Sequence, residues 1–379
     1  MFKTHLCMVS AQAAPNLLPL LDDQFKPQEV ILLVTDAMRE KAKYLQEAIQ
    51  PLGIKVMQHP FSATGNFHSM QQQLEDLLKP FAPGEIALNV TGGTKWMAIT
   101  AQEVFRFNNR PVFYVDIDSG QLLFLDDSSQ AHTLSAKIKL ENYLRAYGYK
   151  ILSNHKQAKG LTAEQRELCQ SLVTNITEWG AALGQLNRLA HMAENNSNLT
   201  ASLTALEKAD PHLPHLLKEC EAANILTFTP TNNSLRFSSD EARFFANGGW
   251  LEEYINSRIN ELKSEGLLQD NSHLNLKIAS QNATNEVDVA FMANNRLHII
   301  ECKTRRLTGQ FAGSAGTESL YKLDSIRDLG GLGTKSMLVS YRPLGNADAQ
   351  RAQDLRIRVV QGEGIQRIKE TIRRWILGN

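Results

Sequence analysis

The sequence predicts an α/β chain in three units: a doubly wound parallel sheet, a small helical module ending in two short strands, and a second mixed α/β unit. Three observations carry this. Short β-type runs alternate with helical runs from the start to about Asp127; a helix and two short strands close the stretch up to Ser239; a helix, a hairpin, a Gly-rich loop, a helix, a strand and an amphipathic helix follow. The expected boundaries are 1–130, 131–239 and 240–379. With 379 residues the chain exceeds one ordinary domain of about 100–200 residues.

In the first unit the β-type runs are "HLCMVS", "EVILLVTD", "IKVMQHP", "EIALNVT" and "PVFYVDID". Between them, "FHSMQQQLEDLLKPF" places Met70, Leu74, Leu77 and Leu78 on one helical stripe. Strands and helices alternating at this length form right-handed βαβ units and a parallel sheet covered on both faces. The last strand turns back through "DSGQ" as a hairpin. In the middle unit, "HLLKECEAANILTFTPTNNSLRFSS" predicts a helix and two strands around "PTNNS", a winged-helix-like pattern. It suits either a spacer or a DNA reader. In the last unit Trp250, Leu251, Tyr254 and Ile255 face inward on one helix, and Ile365, Ile368, Ile372, Trp375 and Ile376 line the closing one.

Lys plus Arg and Asp plus Glu number 40 each, which excludes polyanion binding by bulk charge. The balance is uneven, since 14 Lys/Arg face 8 Asp/Glu from Glu301 onward and leave that end locally basic. Cys7, Cys169, Cys220 and Cys302 form no Cys-x-x-Cys pair, so neither a zinc site nor a disulfide framework is expected, and a reducing cytoplasm fits. "MFKTHLCMVS" is too short and polar for a signal h-region, and no run approaches the ~20 apolar residues of a membrane span.

"NVTGGTKWM", Asn89 to Met97, stands where a strand ends and a helix begins. Gly92 and Gly93 let successive N–H groups converge, Thr94 can cap the helix, Lys95 adds charge and Thr91 a hydroxyl. The stretch fits neither the P-loop nor the dinucleotide fingerprint, so phosphate binding and a plain tight turn both remain open. "SAQAAPN" from Ser10 and "FSATGN" from Phe61 through Gly65 leave strands on the same edge. Strands one and four of a doubly wound sheet flank the switch point, so Ser10 and Thr91 would share one crevice.

In "NEVDVAFMANNRLHIIECKT" a hairpin turning at Asn294-Asn295 pairs positions that sum to 589. Asp288 then faces Glu301, and Glu286 faces Lys303. Two opposed carboxylates are unfavourable alone and become favourable with a divalent cation between them. Glu252, at the start of the preceding helix, can supply a third carboxylate, and Lys303 can orient the nucleophile or neutralise the phosphate. The alternative is a surface charge cluster without metal. Cys302 is expected in the core. Arg305, Arg306 and Lys322, around a Gly/Ser/Ala run between Thr308 and Thr317, are candidate contacts to a nucleic-acid backbone.

The set Glu252, Asp288 and Glu301-Cys302-Lys303 resembles the PD-(D/E)xK nuclease superfamily, with Val287 where the name-giving proline would stand. "TGGTK" after a fourth strand resembles the CARF domain, the CRISPR-associated Rossmann fold that senses cyclic oligoadenylates. In this order they resemble the CARF-nuclease effectors of type III CRISPR defence over nearly the whole chain. The resemblance implies a Rossmann-like N-terminal domain and a restriction-endonuclease-like α/β/α C-terminal domain. It also implies a homodimer whose paired CARF domains bind a ring oligonucleotide, cyclic tetra-adenylate first among them. Ser10, Thr91, Gly92, Gly93, Thr94 and Lys95 would bind that ring, Thr94 either directly or as a helix cap only. Glu252, Asp288, Glu301 and Lys303 would cut single-stranded DNA or RNA, with the three carboxylates holding Mn²⁺ or Mg²⁺. Two other classes stay open: a nucleotide-sensing transcription regulator with an inactive nuclease fold, and an ungated nuclease.

Overall fold

Apolar runs of four to six residues become the central strands. β1 (Thr4–Met8) is buried along its whole length, as a strand covered on both faces must be. The computed structural model describes residues 2–63, 66–125, 130–152, 160–195, 198–268, 270–280, 284–304, 315–329, 331 and 333–378. After β1 come α1 (Ala14–Leu21), β2 (Glu29–Val34), α2 (Arg39–Ile49), β3 (Lys55–Pro60), α3 (Phe67–Leu78), β4 (Ile86–Asn89), α4 (Lys95–Phe107), β5 (Val112–Asp116), β6 (Gln121–Phe124) and β7 (Ala131–Thr133). Their sheet has the order β3-β2-β1-β4-β5-β6-β7. β1 pairs in parallel with both β2 and β4, so the winding direction reverses between β1 and β4 and leaves a crevice at their C-terminal ends.

Local signals decide several details. α3 buries Met70, Leu74, Leu77 and Leu78, the stripe its spacing predicts. The β5–β6 hairpin closes because the Asp116 carboxylate accepts the Asp118 N–H at 3.0 Å and the Ser119 hydroxyl at 2.7 Å. The sheet continues past residue 130, since β7 pairs antiparallel with β6. α5 (Leu140–Ala146) then packs on α2, and β8 (Lys150–Ile151) leaves for the C-terminal sheet.

The middle module contains α6 (Ala163–Thr174), α7 (Gly180–Asn195), β9 (Thr200–Ser202), α8 (Ala205–Lys208), α9 (Leu213–Ala222), β10 (Leu226–Thr229) and β11 (Ser234–Phe237). α6 starts at a capping box in which Thr162 and Gln165 satisfy each other's backbone N–H groups. The expected helix and hairpin are α9, β10 and β11. β9 adds to the β11 edge and gives the order β10-β11-β9. Three residues are too few to show alternation, so sequence reading passes over that strand.

The last unit runs α10 (Asp240–Phe244), α11 (Trp250–Ser264), β12 (His273–Ala279), β13 (Thr284–Ala293), β14 (Arg296–Lys303), α12 (Ala315–Leu329), β15 (Lys335–Ser340), α13 (Asn346–Asp354), β16 (Arg358–Gln361) and α14 (Ile368–Leu377). The sheet order is β16-β15-β14-β13-β12-β8, antiparallel from β12 to β14 and parallel from β14 to β16. α11 and α14 share one apolar core with Phe291, Ile300 and Met337; α12 shares the other with Ala290, Ile299 and Leu338. That second core also takes in Leu17, Leu18 and Ala87, so the N-terminal unit and the C-terminal sheet are packed together. The Arg296–Asp118 ion pair and the Ile138 N–H donated to Asn295 Oδ1 at 2.9 Å tie the same joint. Among the described residues, no helix is long and apolar enough to cross a membrane.

Candidate functional site

The crevice between β1 and β4 is shaped by two buried asparagines. Asn16 donates to the Met8 carbonyl at 3.0 Å, and Asn89 donates to Asn16 Oδ1 at 3.0 Å. Asn89 Oδ1 in turn accepts the Thr91 N–H at 3.1 Å and the Thr91 hydroxyl at 2.7 Å, and Thr91 Oγ1 accepts the Val115 N–H at 2.8 Å. The Thr91 side chain therefore bridges β4 to β5. Gly92 presses so closely on β1 that a Cβ there would collide with the Met8 carbonyl oxygen, and Gly93 needs a φ of 74°. Thr94 Oγ1 caps α4 by accepting the Met97 N–H at 3.2 Å, with Lys95 exposed beside it. Across the crevice, Ser10 Oγ accepts the Gln12 N–H at 3.2 Å and sets the loop after β1. Gly93, Thr94 and Lys95 thus present main-chain donors, a helix N-terminus and a cation at the mouth, a setting suited to an anion. Sequence reading does not single out Asn16 and Asn89, although an asparagine inside an apolar run is the signal that finds them. Thr64 and Gly65 of the neighbouring "FSATGN" loop lie outside the described residues.

The second site forms where β13 and β14 part. Asn294 and Asn295 make the two-residue turn with φ of 51° and 57°, and the register Val289↔Ile300 through Ala293↔Arg296 follows from it. The ladder then ends. The Asp288 carboxylate, not a backbone carbonyl, takes the Cys302 N–H, at 2.7 Å. The ladder stops at Val289↔Ile300, so this fork corrects both expected cross-strand pairs, Asp288–Glu301 and Glu286–Lys303; Asp288 and Glu301 meet through side chains instead. Glu286 instead pairs with Lys277 on β12, 3.5 Å apart, while Lys303 turns to Glu301 at 2.6 Å.

Glu301 is only 1% exposed and Asp288 8%, so both carboxylates pay for desolvation. Lys322 of α12 reaches Glu301 at 2.7 Å and stands 3.9 Å from Asp288. Lys322 therefore joins the carboxylate cluster, a placement its expected role as a backbone contact did not include. Arg305 and Arg306, the other candidate contacts, lie outside the described residues, as do residues 308–314 of the small-residue run. Burial and then Asp288 push the Glu252 carboxyl well above its ordinary range; burial and then Glu301 raise Asp288, against Lys303, Lys322 and the Cys302 N–H. Burial would lower the Lys303 ammonium, but Glu301 and Asp288 outweigh it and hold it above the usual lysine value. Burial pushes the Cys302 thiol far up, which keeps it a core residue rather than a nucleophile.

Glu252, Asp288 and Glu301 thus come within electrostatic reach of one another, flanked by two lysines. Among the described residues, no three His, Cys, Asp or Glu side chains already converge at metal-ligand distance. The donor set nonetheless fits a divalent cation. Glu252 Oε2 is buried without a hydrogen-bond partner, and the neighbouring carboxylates raise the pKa of Glu252 and of Asp288, a repulsion that a cation would relieve.

Residues 4–143 match the family model of the Card1 CARF domain, and residues 239–378 match that of the Card1-like endonuclease domain. The structure of Can2 from Sulfobacillus thermosulfidooxidans, in complex with cyclic tetra-adenylate, is 30% identical, with a TM-score of 0.81 over 99% of this chain and 97% of that one. The crystal structure of protein VC1899 from Vibrio cholerae is 27% identical, with a TM-score of 0.87 over 99% and 98%. A type III CRISPR defence DNA nuclease activated by cyclic oligoadenylate shares the fold at 18% identity and a TM-score of 0.57, over 91% of this chain and 46% of that one. Among curated proteins, nothing matches the chain.

Proposed function

The chain belongs to the Card1-like family, a CARF domain joined to an endonuclease domain, and from that premise we propose a metal-dependent endonuclease for single-stranded DNA or RNA, switched on by a cyclic oligoadenylate. The observation that carries this reading is the presence, in one chain, of an anion-suited crevice at the sheet switch point and a buried three-carboxylate, two-lysine cluster. Cyclic tetra-adenylate is the first ring to test, because Can2 binds it. Ser10, Gly92, Gly93, Thr94 and Lys95 would line the ring site, with Thr91 holding the loop in shape.

Glu252, Asp288 and Glu301 would hold Mn²⁺ or Mg²⁺, which when bound would supply Lewis-acid activation of water and offset charge on the phosphate. Lys303 is held in its charged form beside Glu301 and would neutralise the attacked phosphate. Lys322 holds Glu301 in an ion pair and opposes protonation of Asp288.

Gating needs a physical link between the two sites, and Tyr147 offers one. Its hydroxyl accepts the Ala13 N–H at 3.3 Å from the loop after β1. A Cβ at Gly331, in the turn after α12, would meet the same ring at 2.6 Å. Movement of the ring loop would thus press on the helix that carries Lys322. A homodimer is supported by α4, where Trp96, Ile99 and Phe107 are 49%, 57% and 84% exposed on the domain that carries the ring loop. The four cysteines are free and buried, in keeping with a reducing cytoplasm.

The deciding experiment is cleavage of labelled single-stranded DNA and RNA with Mn²⁺, with and without a panel of cyclic oligoadenylates. Strong stimulation by one ring is expected. Equal cutting with and without a ring that demonstrably binds would refute the gating, and no cutting under any condition would refute the nuclease.

A further inference from the structure

Seven non-glycine residues among those described have a positive φ. Six sit in turns or just beyond helices; Asn275, at 49°, lies inside a strand. Backbone strain of this kind persists only where surrounding structure enforces it, and Asn is among the few residues that tolerate it.

The strain coincides with a reversal in the sheet. Leu274 pairs with Val289 and Leu276 with Val287, which puts Asn275 opposite Asp288. Alternate residues of a regular strand share a face. Here Val287 belongs to the apolar core shared by α12 and the N-terminal unit, whereas Val289 belongs to the core shared by α11 and α14. Asp288 sits at the change of face, outside both apolar cores, where its carboxylate meets the Cys302 N–H next to Glu301. Asn275 is itself half-buried and opens on a cleft of about 2480 Å³ that Glu253, Asn256 and His273 also line. Its side chain hydrogen-bonds the Glu252 carboxyl, whose Oε2 has no hydrogen-bond partner of its own.

We propose that Asn275 is a positioning residue of the cutting site, its left-handed backbone turning Asp288 toward Glu301 and its side-chain amide steadying Glu252. The assignment rests on the endonuclease reading above, and two substitutions separate its parts. Asn275→Gly keeps the backbone shape without strain and removes only the amide; Asn275→Ala removes the amide and disfavours the shape. Each full-length variant is assayed for single-strand cleavage with Mn²⁺ and the activating ring, for Mn²⁺ affinity by electron paramagnetic resonance of the free ion, and for thermal melting.

The expected order is Asn, then Gly, then Ala. kcat should fall about tenfold for Gly and about 100-fold for Ala with KM little changed, and Mn²⁺ affinity should fall in the same order, as for partners that orient metal ligands. Wild-type values for Asn275→Ala in both assays would overturn the proposal. Wild-type values for Asn275→Gly alone would overturn the role of the amide. The Gly variant carries no strain, so it keeps the test decisive even if the Ala variant melts early. A wild-type protein that cuts nothing would overturn the endonuclease reading instead, and the Mn²⁺ titration would still decide whether Asn275 positions the carboxylates.

Discussion

The crevice and the carboxylate cluster both lie where central strands end, yet they are built from opposite materials. Between β1 and β4 the working groups are main-chain N–H groups, two glycines and a capped helix, and the polar side chains behind them satisfy one another through Asn16, Asn89 and Thr91. Where β13 and β14 part, the working groups are buried carboxylates, with one oxygen of Glu252 unpartnered. Oriented backbone dipoles cost little to keep unfilled. Buried like charges store repulsion until a cation or a proton relieves it. The first site is therefore ready-made for an anion, while the second is held short of balance.

Glu301→Gln tests that contrast most severely. Removing one of the central carboxylates should lower cutting by more than about 100-fold, beyond the loss typical of outer-shell partners. Ring binding, measured alongside by calorimetry, should not change; a mutant that still cuts would show that the carboxylate cluster is not the cutting site.

Lys322→Met probes the imbalance more finely. The ammonium lies 3.9 Å from Asp288 and pulls its raised pKa downward. Without it Asp288 holds its proton to higher pH, so the acid limb of the kcat/KM profile should shift to higher pH. An unmoved limb would mean that Asp288 does not govern the rate.

The smallest effect is expected in the crevice. Thr94→Ala removes the α4 cap and should cost about 1 kcal/mol of stability, seen as a Tm lower by a few degrees. Ring-independent cutting should not change. A loss of ring affinity beyond what the cap explains would give the Thr94 hydroxyl a direct role in binding.

Much of this was legible along the chain because the signals are short-range. The stripe Met70, Leu74, Leu77 and Leu78 needs only helical spacing, and the Asn294-Asn295 turn needs only residues that tolerate positive φ. The place of Lys322 in the carboxylate cluster was not legible, for the opposite reason. It is 21 residues from Glu301 in sequence, and only the packing of α12 on β14 and β15 brings the two together. The Asp288–Glu301 and Glu286–Lys303 backbone pairings failed where a register rule was carried past the end of the ladder, because a side-chain carboxylate competed for the Cys302 N–H.

The sequence alone determined the N-terminal βα alternation, the β13–β14 hairpin turn and the inventory of charged groups, since each depends on neighbours a few residues away, whereas it left β9, β12, α13 and β16 unassigned. Tertiary structure decided which charges meet. The fork that frees Asp288, the face reversal at Asn275 and the approach of Lys322 all arise from packing among elements far apart in the chain. Burial is what gives them force, because a carboxylate's pKa and its demand for a partner depend on how much water the surrounding fold leaves around it.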